Sequence, residues 1–368
     1  MERGGKLITL AIHTYEKANI LKSLLEREGI EVALHDVDLS SPEVSSGVRV
    51  RIHESDLPLA LQTMEAAMGP MAESERAARK QVVLIPVDFS DYSKRACSIG
   101  FDFASHAGCE VVLLHSYFNE EYSGLLPFGS DQYKLSDVRQ RNSSLEAEAR
   151  RGMTDFASTL HDDMNAGLLP KVTFSVTVLE GLPENAILDF SRQLKPRLVV
   201  MGTRSRSRDE ALGSVTAEVL DAGKFPVLAV PESYNINSIR GIRNVAFLSI
   251  LSQQDMLSFD LFARMMSDLP LNVTIVPIDD KRNHGHIDES GRSLMGYCQR
   301  RYSHYAFEWK SIEEKNFISD LDSYIKQAKI NLVLIPNKKK NIFTRLFAPS
   351  VAHKLIFSTD TLMLVVPV

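Results

Sequence analysis

Between residues 81 and 235 the chain alternates strand-length apolar runs with helical patterns five times, and residues 240–368 write the same plan again. In the first copy the strand candidates are Val82–Val87, Glu110–His115, Lys171–Val178, Leu198–Met201 and Pro226–Val230. Most are continuously apolar rather than alternating, as strands buried on both faces must be. Helical stretches between them imply parallel strands with right-handed crossovers. The second copy offers Val245–Ile250, Asn272–Pro277, His304–Trp309, Asn331–Ile335 and Leu362–Val366, with a last helix over Ala348–Phe357. A duplication with a period near 155 residues is a tandem of domains, not a solenoid. The expected fold class is α/β, with two doubly wound five-stranded parallel sheets.

Ahead of the duplication, residues 1–70 read β-α-β-β-α, a small α+β unit. Leu7–His13, Glu31–Asp38 and Val48–His53 are its strands, Tyr15–Glu28 carries a helical stripe stopped by Gly29, and Asp56–Met68 closes it with Asp56 as N-cap. His13, His35 and His53 fall one per strand and read as ordinary sheet residues. Residues 71–80 form a charged linker, so the domains are 1–70, 81–235 and 240–368. The order of the first unit resembles a small bacterial domain of unknown function described as signal transducing. That resemblance implies a protein partner.

Charge is uneven: −4 over residues 1–70, +1 over 71–80, −6 over 81–235 and +4 over 236–368, for a total of −5. Bulk attraction to nucleic acid or an anionic membrane is not expected. No apolar run is long enough to span a bilayer, and the N-terminus lacks a signal-peptide pattern. Cys97, Cys109 and Cys298 are too few and too scattered for a disulfide framework or a zinc site. A cytoplasmic protein is the expectation. His284-Gly285-His286 has no third ligand at suitable spacing, and Lys338-Lys339-Lys340 has no aromatic platform beside it.

The stretch that carries chemistry is Leu198–Thr203, then Arg204-Ser205-Arg206-Ser207-Arg208, then Gly213-Ser214-Val215. A buried strand runs into a glycine-started loop with three arginines, and a second glycine opens a helix. Glycine lets backbone approach a ligand, and a helix N-terminus offers unpaired N–H groups and partial positive charge. These are the parts of a phosphate cradle. A solvated loop with a helix cap is the other reading of the same residues.

Together with Leu84-Ile85-Pro86-Val87-Asp88-Phe89-Ser90, Gly181-Leu182-Pro183 and Pro226–Pro231, these motifs resemble the universal stress protein family. The resemblance implies strand order 3-2-1-4-5, pairing through the fifth strands, and ATP or another adenine nucleotide at the carboxyl ends of the strands, with Mg only alongside ATP. It assigns Asp88 to the ribose or adenine side, and Gly202, Thr203, Arg204, Ser205, Arg206, Gly213, Ser214 and Val215 to the phosphate loop. Ser205 stands where the family has a second glycine, and the loop is two residues short. The second copy keeps only Pro336, Lys339 and Pro349-Ser350 at that spacing, with Leu251 in place of Asp88, so it reads as a structural partner within the chain. A homodimer, a nucleotide-free dimerisation scaffold and a slow ATPase using Asp209, Glu210 or His115 are the further readings.

Overall fold

The computed structural model describes residues 7–13, 15–36, 48–57, 59–60, 63–64, 81–118, 135–203, 214–222, 224–234, 238–249, 253–277, 287–312, 317–337 and 360–367. The chain divides into two units, residues 1–80 and 81–368.

The first unit has strand β1 (Leu7–His13), helix α1 (Tyr15–Arg27), β2 (Val32–Asp36) and β3 (Val48–His53). The sheet is antiparallel in the order β1-β3-β2. Ala18, Leu21 and Leu25, at helical spacing, pack on Val32, Val48, Val50 and Ile52. Gly29, at φ 78, ends α1 in a left-handed turn that lets Ile30 N–H reach Leu25 O. Glu54–Asp56 forms a 3-10 turn, and Leu57, directly after Asp56, has helical dihedrals. Residues 65–68, the expected end of this helix, lie outside the described residues.

The second unit is built on one ten-stranded sheet. Its first half holds β4 (Val82–Pro86), α2 (Asp91–Ala107), β5 (Glu110–Tyr117), α3 (Leu135–Asn165), β6 (Phe174–Glu180), α4 (Pro183–Leu194), β7 (Leu198–Thr203), α5 (Ser214–Ala222) and β8 (Val227–Pro231). Its second half holds β9 (Asn244–Ser249), α6 (Gln253–Met265), β10 (Asn272–Pro277), α7 (Ile287–Arg301), β11 (Ala306–Trp309), α8 (Phe317–Gln327), β12 (Leu332–Asn337) and β13 (Leu362–Pro367). The sheet order is β11-β10-β9-β12-β13-β8-β7-β4-β5-β6, so each half keeps the order 3-2-1-4-5. All pairs within a half are parallel. The halves join through their fifth strands, which run antiparallel with Leu228 opposite Leu364.

Alternate residues of each strand enter two apolar layers, as a sheet covered on both faces requires. Val83, Ile85, Val200 and Leu228 share one layer with Phe247, Leu334 and Leu364 from the other half. Leu84, Val199, Met201 and Ala229 share the opposite layer with Ala246, Val333 and Met363. Both layers therefore run unbroken across the β8–β13 junction. The expected helix over 348–357 falls outside the described residues, and the helix expected from Asp209 or Glu210 is described only from Ser214.

Candidate functional site

From β4 the chain goes to β5 and β6 on one side, then crosses back to β7 on the other. The crevice at the carboxyl ends of β4 and β7 is thus a topological switch point, where open α/β sheets take ligands. Two of the sequence-predicted site residues, Asp88 and Gly202, reach its two walls.

Asp88 follows β4 and faces solvent, and its Oδ1 collects the local donors. It accepts from Ser90 N–H at 3.1 Å, from the Ser90 hydroxyl, and from Ser93 Oγ at 2.6 Å. Ser93 Oγ in turn accepts Asp88 N–H at 2.9 Å. Ser90 is the N-cap of α2. Asp88 therefore ties the strand-to-helix turn together, as an Asx turn does. Burial pushes its pKa up, but the bonds from Ser90 and Ser93 outweigh this and hold the carboxyl below its usual range. Oδ2 takes no hydrogen bond from a described residue.

Phe89, the next residue, has φ 66, a left-handed conformation unusual for a bulky side chain. Its ring centroid lies 4.2 Å from that of His115 within β5 and 5.8 Å from that of Phe156 on α3. A Cβ on Gly152 would meet the Phe89 ring at 2.8 Å, so α3 presses its backbone on this ring. His115 Nδ1 lies 2.8 Å from Val87 O. That contact makes Nδ1 the protonated nitrogen, and the imidazole is a bracket between β4 and β5. The sequence reading treated His115 only as a strand-end base candidate and passed over Phe89. The signal available was Asp-Phe-Ser at a strand end, where the turn forces the middle residue into an unusual dihedral.

On the other wall, Gly202 stands against the first turn of α2. A Cβ there would meet Tyr92 O at 2.5 Å and Tyr92 C at 2.7 Å. The position requires glycine for helix–strand packing, whatever binds nearby. Gly202 O accepts from Thr216 Oγ1 on α5 at 3.4 Å. Thr203 shares its face of β7 with Val199 and Met201 and is 3% exposed. Its Oγ1 is buried and has no hydrogen-bond partner among the described residues. Buried hydroxyls are nearly always paired, so this one marks the site as unsatisfied. Ser214 opens α5, and Val215 packs against the Val199 layer. Arg204, Ser205, Arg206 and Gly213 lie outside the described residues.

The second half answers Asp88 with an exchanged pair. Ser93 is the third residue of α2, and Asp255 is the third residue of α6. Asp255 Oδ2 accepts from Ser249 Oγ, at the end of β9, at 2.8 Å, with both residues buried. The carboxylate has moved from the strand end onto the helix and inward. Leu251, Lys339, Pro349 and Ser350 lie outside the described residues, as do His284, His286 and Lys338–Lys340.

All three cysteines are buried free thiols. Burial pushes Cys298 up to about 12 and Cys97 further still, so neither is a thiolate at neutral pH. Burial also raises Cys109, partly offset by Arg197 beside it. No cluster of three or more potential metal ligands occurs among the described residues. No described helix is long and apolar enough to cross a membrane.

The comparisons bear on the same half of the unit. Residues 79–231 match the model of the Universal stress protein family. This segment carries a universal stress protein domain. A universal stress protein of Methanocaldococcus jannaschii is 26% identical over 150 residues, covering 40% of this chain and 80% of that protein. One of Mycobacterium tuberculosis is 29% identical over 169 residues, covering 44% of this chain and 49% of its own length. The crystal structure of a universal stress protein from Archaeoglobus fulgidus aligns at a TM-score of 0.59 and 15% identity, covering 78% of this chain and 98% of that one. At that identity the likeness speaks for the fold alone. Its coverage extends past residue 231, so the likeness in fold includes part of the second half, where the family model does not match.

Proposed function

We propose that this is a nucleotide-responsive stress-signalling protein in which only the first half binds ATP or a related adenine nucleotide. The single observation that carries the reading is Thr203 Oγ1, buried without a partner among the described residues at the carboxyl end of β7. A phosphate oxygen held against the N-terminus of α5 would supply the missing acceptor. Asp88 Oδ2, across the switch-point crevice, would accept a ribose hydroxyl. Arg204 and Arg206 would add charge where Ser205 has replaced glycine, with Gly213, Ser214 and Val215 giving the helix entry. Mg would enter only with ATP. The second half, its carboxylate turned inward as Asp255, serves as the built-in partner of the first. Residues 1–70 would pass the signal to a protein partner.

Calorimetric titration of the full chain with MgATP tests this. One site per chain is expected, lost in Gly213→Val and weakened in Thr203→Val. Two equal sites, or unchanged affinity in both variants, would overturn it.

A second reading, a nucleotide-free scaffold, draws on Gly202 and Asp88: the first is accounted for by Tyr92, and the second is already engaged by Ser90 and Ser93. Absence of any adenine-nucleotide binding in the same titration would favour it. Hydrolysis has less support, since His115 is engaged with Val87 O and stacked against Phe89.

A further inference from the structure

The N-terminal sheet has one face on α1 and one face that no described element of its own unit covers. Val48, Val50 and Ile52 of β3 face the helix. Strand alternation puts Arg49, Arg51 and His53 on the opposite face. The register sets His35 of β2 opposite Arg49, and Ala33 opposite Arg51. On the β1 side, Leu7 stands opposite His53 and Thr9 opposite Arg51, and the bulge between Thr9 and Ala11 brings Ile12 opposite Arg49. The described strand positions of this face thus hold two arginines, two histidines and no acid. This contrasts with the unit as a whole, where residues 1–70 sum to −4. The cationic face is therefore a matter of placement, not of composition.

Its two arginines make no ion pair with a described residue. Arg49 is exposed and has no hydrogen bond or ion pair with a described residue. Arg51 donates one NH2 bond to Leu7 O at 2.9 Å, and its Nε is left buried without an acceptor. Glu31, just before β2, lies 3.8 Å from His53 Nε2 with an 83% exposed side chain. A guanidinium that no described carboxylate pairs can take one from a partner through its outer N–H groups.

We propose that this sheet face docks an extended acidic segment of a partner protein, with Arg49 and Arg51 as its anchors. The spacing selects that class. Arg49 and Arg51 are two residues apart on one strand, roughly 6.7 Å, the repeat of same-side residues in an extended peptide. Acids at every second position match it. A lone phosphate calls for converging donors, and these stand in a row. A single-stranded nucleic acid calls for aromatic platforms, and the strand positions of this face carry none.

The test uses the full chain and a fluorescein-labelled peptide of four Glu-Ser repeats, followed by anisotropy. The wild type should bind, more weakly as salt rises from 50 to about 500 mM. Arg49→Glu should weaken binding at least tenfold, and Arg51→Gln severalfold. Lys22→Glu, on α1, should leave it unchanged. Circular dichroism of each variant confirms the fold. No binding by the wild type, equal loss in the Lys22 variant, or tighter binding of a labelled oligothymidine or of vesicles with phosphatidylserine would overturn the proposal. The MgATP titration reads a different unit, so either result stands without the other.

Discussion

Asp102, on α2 of the first half, accepts the backbone N–H of Ile239 at 2.7 Å through Oδ2. The same oxygen takes Ser238 Oγ at 2.9 Å. A carboxylate of one half thus caps the 3-10 turn Ile239–Gly241 that leads into β9 of the other. Around it, Arg197 NH2 reaches Arg264 O at 3.5 Å, and Ser233 donates to Asp360 across the junction. Asp102→Ala should leave Ile239 N–H without its partner and cost about 1–3 kcal/mol. Urea unfolding of the full chain checks this. An unchanged midpoint would mean the turn is held by packing alone.

Asp88 gives a prediction with a sign in pH. Its folded pKa lies below the unfolded value of about 3.9, so the carboxylate's stabilisation is complete above that value. It is lost as pH falls from about 4 through the lowered folded pKa. Asp88→Ala should cost about 1 kcal/mol at neutral pH, in the range of a lost helix cap. It should also flatten the acid limb of the stability profile between pH 4 and 2. If wild type and variant lose stability in parallel over that range, the Ser90 and Ser93 bonds do not set its titration.

Gly202→Ala should damage the fold before it touches any ligand. The added methyl would lie 2.5 Å from the Tyr92 carbonyl oxygen, which belongs to helix backbone and has little room to retreat. A cost of about 1–3 kcal/mol is expected, as for overpacking elsewhere in protein interiors. Thermal unfolding reads it directly. Loss of nucleotide binding in this variant would therefore say nothing about contact, which is why Gly213→Val and Thr203→Val are the diagnostic changes.

Much of the fold was legible because both-face burial writes unalternating apolar strands, and ten of them in two series of five fix a doubly wound plan. Lys171 and His304 were read as strand starts, but β6 begins at Phe174 and β11 at Ala306. These are the outermost strands, where one neighbour is missing and residue type constrains pairing least. The site was half legible. Asp88 and Gly202 do line the switch point, yet spacing cannot tell a residue turned to a ligand from one turned to its own helix. The Tyr92 contact, the Ser93 bond and the left-handed Phe89 are tertiary facts. The exchange of Ser93 for Asp255 was equally hidden, since a serine and an acid six residues apart, Ser249 and Asp255, form no recognisable motif.

The junction strands give the last prediction. Val227–Pro231 pairs with β7 on one side and with β13 on the other, so the β8 edge is consumed within the chain. A chain ended after residue 235 would keep the segment that matches the family model while exposing that edge. It would also open both apolar layers, since Leu228 and Ala229 would lose Leu364 and Met363. A bare edge with apolar flanks templates pairing with another strand. The antiparallel β8–β13 ladder shows the geometry, and a second β8 can supply it by two-fold symmetry. The truncated chain should therefore sediment as a dimer, and adding the separate fragment 236–368 should exchange it for a one-to-one pair. A truncated chain that stays monomeric at micromolar concentration would show that the second half does more than close an edge.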